Sequence, residues 1–433
     1  MMRKSILGMI LAGGEGSRLS PLTTKRAKPA VPFGGKYRII DFVLSNFVNS
    51  GIHSLFVLTQ FRSQSMSEHI INGWNMSSLM KGQFVVPVPA QMQGGDKRWY
   101  EGTADAIWQN IHLLQDFTPD LVAVFGGDHI YKMDISQMAK FHAKREALAT
   151  IAALPIPLEE GSRFGIIQID EDWRITGFQE KPEHPSEIPG MPGYCLASMG
   201  NYVFDSKWLY KTLKADSQNP DSHHDFGHDI LPPAVDSGRL YAYNFFENKI
   251  PGSDVSKDNY WRDVGTLKSY YDSNMDLKEA DPQLDLYGAG WPIHTYNSPL
   301  PPAKFVHDEH HPDGRTRVGH ATNSIVCDGC IVSGSSVKES ILSSEVHVHS
   351  FSSVESSIIL NSVEIFENCK IKNAIIDKHV ILPPGTVIGY DRQADESRFH
   401  VVDLCEEEGT WLTVIEKNHS RVSKDTKTTV LTI

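Results

Sequence analysis

Between residues 11 and 29 the chain reads LAGGEGSRLSPLTTKRAKP, a stretch whose residue types suit the holding of anions. Gly13, Gly14 and Gly16 follow an apolar run, so backbone N–H groups there can approach a phosphate with no Cβ in the way. Arg18 adds a rigid fork of donors matched to phosphate oxygens, and Lys25, Arg26 and Lys28 bring further positive charge. Gly14-x-Gly16 lacks the third small residue of a dinucleotide fingerprint, and no Gly-Lys-Ser/Thr follows as in a P-loop. A polyphosphate is the ligand such a loop suits; an ordinary solvated loop is the plainer alternative.

Acidic groups recur farther on. AVFGGDHIY ends an apolar run in Gly126, Gly127 and Asp128, and YWRDVGT carries Asp263. Opposite a polyphosphate, hard carboxylate oxygens suit Mg2+. The two aspartates either flank one magnesium ion from two strands or cap turns. FQEKPE offers Glu180 as an acceptor for hydroxyls and Lys181 for a second phosphate, or else a surface ion pair. RWYEGTADA sets Tyr100 before Gly102 and Thr103 at a helix start, a place for an anion or a polar ring. SHHDFGHD gathers His223, His224, Asp225 and His228.

The elements that must position these groups differ between the two halves of the chain. Up to about residue 280, aliphatic runs such as ILGMILAG, SLFVLTQ and TIAALPI alternate with helical stretches near 41–50, 104–115 and 135–146. This is the signature of an α/β domain with a largely parallel sheet, whose ligands lie beyond the carboxyl ends of the strands. Residues 281–315 are rich in Pro, Gly and turn formers and read as a linker. In 316–433, Ile341, Ile358 and Ile375 recur every 17 residues, as do Val337, Val354 and Ile371, and Val346, Val363 and Val380. A short repeat with β-branched residues at its apolar positions predicts a parallel β-helix, in which each coil stacks the same inward side chains on the next.

Bulk properties narrow the function classes. At 433 residues, two domains are expected, and a net charge of −12 disfavours a nucleic-acid binder. Five scattered cysteines fit a reducing cytoplasm better than a disulfide framework. The apolar run after Arg3 and Lys4 reads as a buried strand, and no stretch is long enough to cross a membrane. Cys327-x-x-Cys330 has no second pair beside it, and Cys330 falls on the apolar ladder ahead of Val346, so a buried structural role is expected. His347 and His349 alternate along a strand and share one face, with too few coils to suggest acyl transfer.

The segments AGGEGSRLSPLTTKRAKPAVPFGGKYRIIDF, WYEGTADA, GDHIY, EKP, SMGNYVF, HDFGHDI and YWRDVGT occur in an order that resembles the bacterial ADP-glucose pyrophosphorylases, or glucose-1-phosphate adenylyltransferases. The resemblance runs over essentially the whole chain. It implies an α/β Rossmann-like nucleotidyltransferase domain (1–280), the linker 281–315 and a left-handed parallel β-helix (316–433) for regulation and oligomerisation, usually in a homotetramer. It implies transfer of AMP from ATP to glucose 1-phosphate with Mg2+. Leu11, Ala12, Gly13 and Gly14 would bind nucleotide, Arg18 and Lys28 phosphates, and Asp128 and Asp263 the metal. Asp128 would join Arg18 and Lys28 as catalytic. Tyr100, Gly165, Glu180, Lys181, Ser198 and Asp225 would bind the sugar phosphate. Lys25, Arg26 and Arg38 match a basic segment that binds small phosphorylated effectors.

Overall fold

The computed structural model describes residues 4–75, 82–91, 99–252, 259–310, 316–405 and 407–417. The end of the expected linker (311–315) and of the expected β-helix domain (418–433) therefore lie outside the described residues. By contacts the chain forms two compact units. One comprises Met1–Glu15, Ile39–Trp261 and Tyr287–Tyr296; the other comprises Gly16–Arg38, Arg262–Leu286 and Asn297–Ile433. Among the described residues, no helix is long and apolar enough to cross a membrane.

The first unit is built on a nine-stranded sheet. Its strands are β1 (Ile6–Ala12), β2 (Ser54–Thr59), β3 (Phe84–Pro89), β4 (Leu121–Gly126), β5 (Ala149–Pro157), β6 (Gly165–Ile169), β7 (Ile175–Glu180), β8 (Tyr194–Asp205) and β9 (Leu240–Asn244). The order β7-β6-β8-β4-β1-β2-β3 is extended by β5, which pairs with β8 and β9. Strands β4, β1, β2 and β3 are mutually parallel and nearly continuous in aliphatics, as strands covered on both faces must be. The other half departs from the expected parallel arrangement: β8 runs antiparallel to β4, β5 and β6, and β7 antiparallel to β6. For β6 and β7 the cause is connection length. Only residues 170–174 join β6 to β7, too few for the crossover that parallel strands need.

Helix Ile39–Asn49 is held by one fully buried carboxylate. Asp41 accepts from Trp74 Nε1 (2.9 Å) and Thr295 Oγ1 (2.7 Å) and meets His69 Nε2 at 2.6 Å. The helix expected over 104–115 is two helices, Thr103–Gln109 and Ile111–Phe117, hinged at Asn110.

In the second unit the 17-residue period becomes register. Ile341 pairs with Ile358 and Ile358 with Ile375; Val337, Val354 and Ile371 align likewise, as do Val348, Ile365 and Leu382. The corners repeat as well. Gly334, Phe351, Asn368 and Gly385 all have positive φ, and so do Glu339, Ser356 and Asn373, each in step with the coil. Serines satisfy the turning backbone: Ser335 Oγ accepts from Ser352 N–H, and Ser352 Oγ from Cys369 N–H. Cys330 is buried in the apolar core of the coils, and all five cysteines are free. The last coil is closed by a hairpin, His400–Cys405 and Thr410–Ile415, whose second strand pairs in parallel with Ala374–Ile376.

The segments Gly16–Arg38 and Arg262–Leu286 are tied into this unit by specific bonds. Tyr270 Oη donates to Pro32 O (2.5 Å), Gly34 N–H to Asn274 Oδ1 (2.9 Å) and Tyr271 Oη to Ser356 O (2.7 Å).

Candidate active site

In the first unit, parallel pairing brings two of the anticipated segments to one sheet edge. Leu11 on β1 lies opposite Gly126 on β4, so Gly13 and Gly14 leave the sheet beside Gly127 and Asp128. Gly127 donates to Leu11 O at 2.9 Å. A Cβ on Gly127 would stand 2.8 Å from Ile40 Cδ1 and 3.2 Å from Leu11 O, so a side chain at this crossing would have to displace its neighbours. A Cβ on Gly14 would meet nothing within 4 Å, which leaves open space over that residue. Asp128 is 37% exposed, with Nε2 of His129 at 3.7 Å.

The residues expected to bind the sugar phosphate also lie in this unit. Gly165 pairs with Glu180 across β6 and β7, and a Cβ on Gly165 would sit 3.2 Å from the Glu180 carboxylate. Lys181, at positive φ, turns its Nζ onto Glu180. Asp225 caps the turn Phe226–Ile230 by accepting from Gly227 and His228 N–H, and its other oxygen accepts from Thr103 Oγ1 at 2.9 Å. Ser198 Oγ accepts from Gly200 N–H at 3.3 Å.

Tyr202 links several of them. Its phenol bonds Ser198 and lies in the fields of Asp225 and Glu180; burial, then the Asp225 charge, push its pKa up. Tyr100 accepts from Asn110 Nδ2 through its hydroxyl and donates through its N–H to Gln60 Oε1, both at 2.9 Å. Burial raises the Tyr100 phenol as well. A Cβ on Gly13 would come within 3.3 Å of the Gln60 side chain, so Gln60 lies beside the glycine turn as well as against Tyr100. Sequence reasoning singled out neither Tyr202 nor Gln60. The segment SMGNYVF held the signal for the first; nothing local marks the second.

The cationic loop lies in the second unit and sorts its charges by burial. Lys28 is buried and donates to Asp263 Oδ1 at 2.7 Å, while the exposed Arg18 stands 3.8 Å from Asp263 Oδ2. Gly16, at φ 62°, lets the chain turn against Lys28, where a Cβ would come within 2.8 Å. Arg26 is 5% exposed and its Nη2 contacts both oxygens of buried Asp377 at 2.7 Å. Lys25 is exposed and Arg38 half-buried.

The donor chemistry at Asp128 and Asp263 fits magnesium. Each is a carboxylate open to solvent on one side, and Mg2+ takes one or two such oxygens together with substrate phosphates. Lys28 occupies one oxygen of Asp263 and leaves the other turned toward Arg18.

Two family models match the chain: a nucleotidyl transferase over residues 7–280 and a GlmU-like C-terminal hexapeptide region over 301–405. The glucose-1-phosphate adenylyltransferase of Thermus thermophilus is 53% identical, the match covering 92% of this chain and 96% of the relative. Proteins of the same name from Deinococcus radiodurans and Aliivibrio fischeri are 47% and 48% identical over equal shares. The likeness read from the motifs is borne out: the chain belongs to the glucose-1-phosphate adenylyltransferase family of nucleotidyl transferase enzymes.

Proposed function

We propose that this protein transfers the adenylyl group of ATP to glucose 1-phosphate, giving ADP-glucose and pyrophosphate for α-glucan synthesis. The observation that carries this reading is the shared sheet edge at which the open Gly13–Gly14 turn leaves β1 beside Asp128. A phosphate oxygen of the sugar phosphate attacks the α-phosphorus of ATP. The bond from that phosphorus to the β-phosphate bridging oxygen breaks, and pyrophosphate leaves with the electron pair. The nucleophile is already anionic, so no strong base is required; positioning and charge neutralisation supply the rate.

Leu11, Ala12, Gly13 and Gly14 cradle the nucleotide with backbone N–H groups. Arg18 and Lys28 neutralise the phosphates. Both cations stand at the Asp263 carboxylate, Arg18 from a 73% exposed position, which supports this role. Tyr100, Gly165, Glu180, Lys181, Ser198 and Asp225 hold the sugar phosphate, with Glu180 accepting from hydroxyls and Lys181 facing the phosphate. Magnesium on Asp128 and Asp263 supplies further neutralisation of phosphate oxygens when bound.

Lys25, Arg26 and Arg38 are the candidates for binding a phosphorylated effector. Burial, followed by the Arg38 and Arg26 charges, pushes the ammonium of Lys378 down to about 7, and Arg26 Nη1 is buried with no hydrogen-bond partner among the described residues. Such an imbalance of positive charge favours an added anion.

The test is release of pyrophosphate from ATP and glucose 1-phosphate with Mg2+, beside the other nucleoside triphosphates and sugar phosphates. ATP with glucose 1-phosphate is expected to be preferred, and Asp128→Asn is expected to lose about 10³-fold in turnover with its fold intact. Equal rates with all triphosphates would reject the substrate assignment, and full activity of Asp128→Asn would reject the metal role.

A further inference from the structure

One cluster on the β-helix takes no part in the proposed reaction. In the ladder that pairs Lys304 with Ile331, Ile331 with His347, His347 with Glu364 and Glu364 with Ile381, two neighbouring coils present an imidazole and a carboxylate side by side. His347 Nδ1 stands 3.1 Å from Glu364 Oε1. His349, two residues on, points to the same face, and its Nε2 bonds the same carboxylate oxygen. The two imidazoles stack with centroids 3.8 Å apart, and His349 is also stacked on Phe366 at 4.9 Å. The coil fixes this geometry: His347 N–H donates to Val363 O and His349 N–H to Ile365 O, so both histidines are locked in register with the coil that carries Glu364.

One ligand atom from each of His347, His349 and Glu364 lies within 4.8 Å of the others, and all three side chains are partly buried. Two imidazole nitrogens and a carboxylate oxygen form a donor set of borderline softness, suited to zinc and its neighbours; Mg2+ and Ca2+ take oxygen. The remaining nitrogen of His349, Nδ1, lies 3.8 Å from Glu367 Oε1, a gap that a small shift of the ring would close to the hydrogen bond by which a carboxylate orients a metal-bound histidine.

We propose that His347, His349 and Glu364 form a binding site for a zinc-class dication, oriented by Glu367 and completed by water. The ion would add a metal link between two successive coils, beside the backbone bonds and the imidazole–carboxylate contacts that already join them. Phe366 closes one side of the site, and the positive charge of Lys304, at the head of the same ladder, is outweighed by the two carboxylates.

Cobalt reports such a site by its visible absorption. The full-length protein, stripped with a chelator and dialysed, is titrated with Co2+ in excess Mg2+ so that the magnesium carboxylates stay occupied. Saturable binding of about one equivalent is expected, with the intense visible bands of four-coordinate cobalt, displaced by Zn2+. His349→Ala is expected to lose the bands and Glu367→Gln to weaken binding roughly tenfold or more. Zn2+ is expected to raise the unfolding midpoint of the wild type but not that of His349→Ala. His349→Ala should keep wild-type turnover, and Glu364→Gln repeats the test should the alanine variant fail to fold. The proposal is overturned if the wild type shows no saturable bands. It is equally overturned if a folded His349→Ala or Glu364→Gln binds Co2+ as tightly as the wild type, which would move the ion to another cluster such as His223, His228 and Asp229.

Discussion

Arg26 and Lys28 stand two residues apart in the chain, each paired with a distant aspartate, and the two regions they enter behave as different objects. Around Asp377 the contact is sealed, with side-chain exposures of 6% for Arg26 and 2% for Asp377. Around Asp263 it is open: Lys28 is buried, Asp263 is 29% exposed, and Arg18 reaches the same carboxylate from a 73% exposed position. In the sealed region Arg26 Nη2 and the Asp377 carboxylate satisfy each other out of solvent, so losing either partner costs the fold, while Nη1 is left over for the proposed effector anion. In the open region Lys28 and Arg18 both reach one carboxylate, and the Arg18 guanidinium stays exposed to solvent. Residue type does not separate the two cases; the burial of the partner does.

The comparison breaks most visibly at the sealed pair. Arg26→Met leaves the Asp377 charge buried, and the expected cost is about 3–5 kcal/mol of stability, read from urea unfolding. The double variant Arg26→Met with Asp377→Leu should recover most of that loss, because an uncompensated buried charge costs more than an apolar contact of similar size. A single variant as stable as the wild type would mean that the contact is not sealed in solution.

A second sealed group, His142, sharpens the rule through pH. It is 1% exposed with Nδ1 2.9 Å from Thr150 Oγ1, and burial, then the Lys4 charge, push its imidazole down to about 4. The unfolded chain takes up this proton at a higher pH, near about 6.5. Stability is therefore complete above that value and falls as the pH drops toward 4, by roughly 3 kcal/mol for this group. Unfolding midpoints at pH 7 and near pH 4.5 check it: His142→Gln should show a shallower fall than the wild type. The smallest of these effects is expected in the open region. Arg18→Ala, exposed and 3.8 Å from its partner, should leave stability nearly unchanged while lowering turnover about 10²-fold.

The same contrast explains what the sequence disclosed. The coil register was legible because stacking imposes one strict period, and Ile341, Ile358 and Ile375 stack as their spacing requires. The Gly13–Gly14 turn and Asp128 were legible because parallel strands deliver their carboxyl ends to one edge. The antiparallel pairings of β8 with β4, β5 and β6 and of β7 with β6 were hidden, since aliphatic runs look alike in either direction. The Arg26–Asp377 contact joins residues 351 positions apart and leaves no local trace. Tyr202 was missed because a buried aromatic on a strand reads as core until its neighbours Ser198, Asp225 and Glu180 are in view.

The central claim is that the open pair serves the reaction and the sealed pair serves the fold. It is tested most directly by the turnover number for pyrophosphate release by Lys28→Met, compared with Arg26→Met at an equal folded fraction. The account predicts that Lys28→Met falls by about 10²–10³-fold while Arg26→Met, once folded, turns over at a near wild-type rate. Wild-type turnover in Lys28→Met, or an equal collapse in folded Arg26→Met, would contradict it.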